Sequence, residues 1–104
     1  MPLTKDFKAT VMARAHRDKS FCNALLSEAI NELLIGDVDL GKAILRDYIN
    51  AAISFEILST VLDKNPKSLM RMLSPKGNPT SKSLLDIFHA IHKLKKIKIT
   101  VTLK

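Results

Sequence analysis

The sequence predicts an all-α helical bundle closed by one short C-terminal β-strand, and three observations carry that expectation. Apolar residues recur at three- and four-residue spacing through most of the chain. Residues that cap helices, with Gly or Pro, stand at the ends of those periodic segments. Only at residues 97 to 103 does the period change to two, with Ile97, Ile99, Val101 and Leu103 alternating with Lys98, Thr100 and Thr102.

Taken in order, Phe7, Val11, Met12 and Ala15 make an apolar stripe behind the caps Thr4 or Asp6, so a first helix is expected to end near Arg17. Asp18 caps the next, whose inward residues run from Phe21 through Leu25, Leu26, Ala29, Ile30, Leu33 and Leu34 to a left-handed stop at Gly36. Asp37 or Asp39 opens a third helix. Its buried stripe is Leu40, Ala43, Ile44, Tyr48, Ile49 and Ala52, with Lys42, Arg46 and Asp47 outside. Ser54 then caps about two turns carrying Phe55, Leu58, Val61 and Leu62. After the polar turn Asp63-Lys64-Asn65, Asn65 caps a short helix with Pro66 at its first position, where a missing N–H costs nothing, and with Leu69, Met72 and Leu73 inward. SPKGNPT, residues 74 to 80, is loop by its Gly, Pro and Asn content. Thr80 or Ser81 restarts a helix with Leu84, Leu85, Ile87, Phe88, Ile91 and Leu94 inside.

A chain of 104 residues, 46% hydrophobic and 26% charged, has the makings of one globular domain, and it is too short for two. We divide it into an N-terminal helical extension, 1–36, a helix-turn-helix domain, 37–94, and a basic terminal strand, 95–104. The single cysteine, Cys22, has no disulfide partner and is expected to pack as a small hydrophobe. The start, MPLTKDFK, lacks the apolar core of a signal peptide, and no apolar run reaches the ~18–20 residues of a membrane span, so a cytoplasmic location is expected. The net charge of +7 is unevenly spread. Residues 1–36 hold five bases and four acids, 37–63 two and five, and 64–104 ten and one. Such a basic block is the footprint of a surface that meets phosphates or, on the plainer view, of a solvated face.

The fold position decides between those two. Two short helices joined by a three-residue turn, the second opening with a polar cap and basic residues, have the pattern of a helix-turn-helix DNA reader. The second helix of such a unit enters the major groove, and its exposed residues here are Lys67, Ser68, Met70 and Arg71. Lys67 and Arg71 lie four apart on one face, opposite Leu69 and Met72, and a cationic side chain donating to guanine O6 and N7 is the commonest specific base contact. Ser68 can pair with an acceptor or a donor, and Met70 can touch a thymine methyl. Ser54, Lys64, Asn65, Lys76, Asn78, Ser81 and Lys82 flank that helix and are candidates for phosphate contact.

The run FEILSTVLDKNPKSLMRMLSPKGNPT, residues 55 to 80, resembles the helix-turn-helix of bacterial addiction-module antidote proteins, the HigA-type antitoxins. Lys67-Ser68-Leu69, Arg71-Met72-Leu73-Ser74-Pro75 and Gly77-Asn78-Pro79-Thr80 carry the likeness, which extends weakly upstream through residues 3 to 7 and 44 to 47. The resemblance implies a Cro/repressor-like DNA-binding domain with extra N-terminal helices, an operator before the protein's own operon, and a RelE/ParE-like toxin as partner. The chain departs from the family at Asp63, where Gly is usual, and at Ser59, where Ala is usual. Asp63 is less at ease in a left-handed turn and sets a negative charge toward phosphate.

Other residues invite chemistry without completing it. His89 and His92 are three apart but have no third ligand at useful spacing, and Asp37 and Asp39 are not followed by the later oxygens of a calcium loop. Paired carboxylates, a phosphate-cradling glycine loop and a nucleophile elbow are lacking, so a non-enzyme without cofactor is expected. With few aromatic residues, stacking on single-stranded nucleic acid or RNA is a weaker alternative. The expected partners are double-stranded operator DNA, a cognate toxin and a second copy of the chain, with no membrane and no small-molecule substrate. A homodimer is expected to pair the strand Ile97, Ile99, Val101, Leu103 with its copy; the rival is its addition to a toxin's sheet edge.

Overall fold

The computed structural model describes residues 19–104, which form five helices: α1, Lys19–Leu34; α2, Val38–Ala52; α3, Phe55–Leu62; α4, Pro66–Met72; and α5, Ser81–Lys95. The helix expected over residues 7 to 17 and the Asp18 cap lie outside the described residues. Helix α1 packs along α2, and α3 packs against α2, α4 and α5.

Local chemistry sets most boundaries. The Asp37 carboxylate accepts from the Leu40 N–H at 3.2 Å and starts α2. Asn65 Oδ1 accepts from the Lys67 N–H at 2.8 Å, with Pro66 at the first position of α4, and Thr80 Oγ1 accepts from the Ser83 N–H at 3.1 Å to open α5. Gly36, at φ +98°, follows α1. Where α1 crosses α2, the absence of a side chain at Gly41 lets the helices meet closely: a Cβ there would lie 2.6 Å from Leu33 Cγ.

The core gathers Leu26 and Ala29 of α1, Leu45, Tyr48 and Ile49 of α2, Phe55 and Leu58 of α3, Leu69 and Leu73 at α4, and Ile87 and Ile91 of α5. Cys22 is buried among them. Several expected inward positions are corrected. Leu34, Leu40, Val61 and Leu85 are exposed, while Leu45, Ala51 and Ala90 take core positions. Each misplaced leucine or valine sits at the rim of its helix's apolar stripe, where a small rotation of the helix decides which side chain is covered.

Lys42 corrects another expectation. The sequence pattern puts it outside, yet it is only 3% exposed, because the carbonyls of Ser74 and Gly77 accept from its ammonium.

The terminal strand is absent. Residues 97–104 form no β-structure, and no strand occurs among the described residues. A strand needs a ladder partner, and every other described element is helical. Lys96, at φ 53°, turns the chain after α5 in the left-handed conformation, and the tail that follows lies beside α1. Ile97 and Ile99 are half-buried against the core, whereas Val101 is exposed and Leu103 is 91% exposed. The four residues therefore do not form one evenly buried face.

Candidate nucleic-acid interface

Helices α3 and α4 pack together and are joined by three residues, Asp63, Lys64 and Asn65. The turn is tight because Asp63 closes α3 in the left-handed conformation, φ 54°, its N–H directed at the carbonyls of Ser59 and Thr60, and Lys64 N–H donates to Ser59 O at 3.0 Å. Ser59 itself is buried, and its hydroxyl donates to Glu56 O at 2.7 Å, so the extra oxygen is satisfied within α3.

Helix α4 is anchored by the fully buried Leu69 and Leu73. Opposite that anchor, Lys67, Ser68 and Arg71 are exposed, and Met70 is 39% exposed. Lys64 and Asn65 are exposed in the turn, and Lys76, Asn78, Ser81 and Lys82 are exposed on the other side of α4 in sequence. Ser54 differs from the rest. It is half-buried, and its hydroxyl already accepts from Ile57 N–H at 3.1 Å as the cap of α3. Lys82 pairs with Asp86 at 2.9 Å across one turn of α5, an exposed pair that binds weakly enough to yield to phosphate.

Three further basic side chains are spent inside the protein. Lys42 Nζ donates to Ser74 O at 3.0 Å and to Gly77 O at 2.7 Å, with Asp39 Oδ1 at 3.8 Å. Arg46 Nη1 donates to Leu73 O at 3.0 Å, and Lys95 Nζ donates to Ala52 O, the last residue of α2, at 3.2 Å. Arg46 and Lys95 meet carbonyls at a helix C-terminus, where the backbone leaves acceptors unpaired and the dipole is negative, whereas Lys42 meets two carbonyls of the loop after α4. Sequence inspection missed this use of Lys42 and Arg46; the one local sign is that both follow the inward period of α2 at its edge.

The loop after α4 folds back on that helix. Ser74 N–H and Oγ both donate to Arg71 O, at 3.1 and 2.6 Å, and Gly77 N–H donates to Ser74 O at 2.9 Å. At Gly77 an added Cβ would stand 2.2 Å from Arg71 O and 2.3 Å from Met72 O, so no side chain fits there.

Away from this face, His89 and His92 stack with ring centroids 6.3 Å apart, and the His92 Nδ1–H donates to Ile97 O. Among the described residues no group of three or more His, Cys, Asp or Glu side chains converges as metal ligands, and no helix is long and apolar enough to cross a membrane. A groove of about 500 Å³ runs between α1 and the tail, lined by Leu26, Ile30, Leu34, Ile97, Ile99 and Leu103 among others, with no residue of α3 or α4.

The chain matches no family model, no curated protein and no solved structure.

Proposed function

We propose that this protein is the antitoxin of a type II toxin–antitoxin module, a sequence-specific DNA-binding repressor of its own operon that also neutralises a RelE/ParE-like toxin. The observation that carries the DNA-binding half is the outward pair Lys67 and Arg71, one turn apart on a short helix whose opposite side is locked into the core through Leu69 and Leu73. A helix fixed in that way presents its cations at constant spacing, which base readout in the major groove requires. Lys64 and Lys76 flank the helix and supply sequence-independent attraction to the two phosphate rails.

The repressor works as a cytoplasmic homodimer whose reading helices lie about one DNA turn, ~34 Å, apart on a palindromic operator. It catalyses no reaction and takes no cofactor. Toxin binding rests on the family resemblance; the apolar groove beside α1 and the exposed Leu34 and Ile35 at the end of that helix are in keeping with a protein partner. A regulator without a toxin would use the same α4 surface, and the two cases separate when the protein is expressed together with the product of the neighbouring gene and only the antitoxin leaves with a bound toxin.

The DNA half is tested by an electrophoretic shift on the DNA upstream of the protein's own gene. Wild type is expected to retard it, and Lys67→Ala and Arg71→Ala each to weaken binding by about 1–3 kcal/mol. Equal retardation by all three proteins rejects these base contacts.

A further inference from the structure

We propose that Lys42 is a positioning residue for the phosphate-clamping loop, a role that rests on the DNA-binding function above. A lysine that is 97% covered is unusual, because taking an ammonium out of water is costly unless its donors are met. Here two of its three N–H groups are spent on the carbonyls of Ser74 and Gly77, 32 and 35 residues away. Its nearest carboxylate, Asp39, is at 3.8 Å and almost fully exposed. The ammonium is thus held mainly by backbone oxygens of one loop.

That loop spans Lys76, between the two carbonyls that Lys42 grips, with Asn78 one residue beyond the second; both side chains are exposed. Ser74 O and Gly77 O face the same cation while Gly77 is pressed onto the end of α4. The segment between them is therefore fixed at both ends relative to the helix that bears Lys67 and Arg71. Lys42 touches no nucleic acid itself. Its part is to fix where Lys76 stands with respect to the reading helix, so that phosphate and base contacts are made in one register.

The test is a double-mutant cycle on DNA affinity across a salt series, using the full chain and one operator duplex, with Lys42→Met, Lys76→Ala and the double variant. Met keeps the length of the stem and removes the donors. Lys76→Ala, a surface change expected to fold normally, should lower the steepness of the salt dependence by about 1. Lys42→Met should produce a similar loss in slope with several-fold weaker binding, and almost no further loss in the Lys76→Ala background. Lys42→Arg, which keeps the donors, should restore the wild-type slope.

Additive losses in the double variant mean that Lys42 only stabilises the fold, and they overturn the proposal while leaving DNA binding intact. An unchanged slope in Lys76→Ala overturns it too, even if Lys42→Met fails to fold. If wild type shows no salt-dependent affinity for any duplex, the DNA-binding function itself falls, and the positioning role with it.

Discussion

The Arg46 guanidinium, on the middle of α2, donates to the Leu73 carbonyl at 3.0 Å and so ties α2 to the end of α4, 27 residues later. The bond is half-buried and charge-assisted, which places its worth near the lower end of the range for hydrogen bonds to ionised groups. Arg46→Ala is expected to lower stability by about 1.5 kcal/mol, read from the midpoint of urea unfolding at unchanged slope. A midpoint equal to wild type would mean that Leu73 O is as well served by water.

Gly77 gives a steeper expectation. Because a Cβ would stand 2.2 Å from one backbone oxygen and 2.3 Å from another, Gly77→Ala must displace the loop or the end of α4. The cost should reach about 3 kcal/mol, the upper end for overpacking. Thermal unfolding of Gly77→Ala at near wild-type temperature would contradict the packing described here.

Among the described residues three with side chains occupy backbone conformations that favour glycine, Ser54 at φ 142°, Asp63 at φ 54° and Lys96 at φ 53°, and the first two flank α3. Ser54→Gly should stabilise the protein by about 1 kcal/mol, since the relief of backbone strain exceeds the few tenths lost with the cap. Asp63→Gly should add roughly 0.5–1 kcal/mol and, by removing a negative charge from the turn, also strengthen DNA binding. Urea titrations report the first effect, and anisotropy of a labelled duplex reports the second. A destabilised Ser54→Gly protein would show that the capping hydroxyl outweighs the strain.

Tyr48 is buried in the core, and its hydroxyl has no hydrogen-bond partner among the described residues. Burial first, and then the neighbouring Cys22 thiol, push its phenol up from 10.0 to about 12. The folded state therefore resists ionisation that the unfolded chain accepts. This contribution to stability is intact below pH 10 and is lost as pH rises toward 12. Tyr48→Phe should raise stability at pH 7 by about 1 kcal/mol, because an unsatisfied buried hydroxyl is removed, and should lessen the decline between pH 10 and 12. Paired urea titrations of both proteins across that range would check it, and parallel declines would count against the buried phenol.

The helices were legible because each rests on local chemistry. The caps Asp37, Asn65 and Thr80 lie next to the apolar stripes they start, and Pro66 can stand only near a helix beginning. The exposure of Lys67, Ser68, Met70 and Arg71 followed from the inward positions Leu69, Met72 and Leu73. What escaped depends on residues far apart in sequence. Lys42 looks like a solvent-facing lysine until the carbonyls of Ser74 and Gly77 are brought over it. The alternation from Ile97 to Leu103 has the period of a strand, but a period of two does not supply a partner, and the tail lies beside α1 instead.

Recovery of bound duplexes from a random pool tests most directly the proposal that α4 reads bases through Lys67 and Arg71. Wild type is expected to enrich one palindromic motif containing a guanine in each half-site, and Arg71→Ala or Lys67→Ala to lose the preference at one position while keeping the remainder. A motif left unchanged by both substitutions, or no motif at all from the wild-type protein, would contradict it.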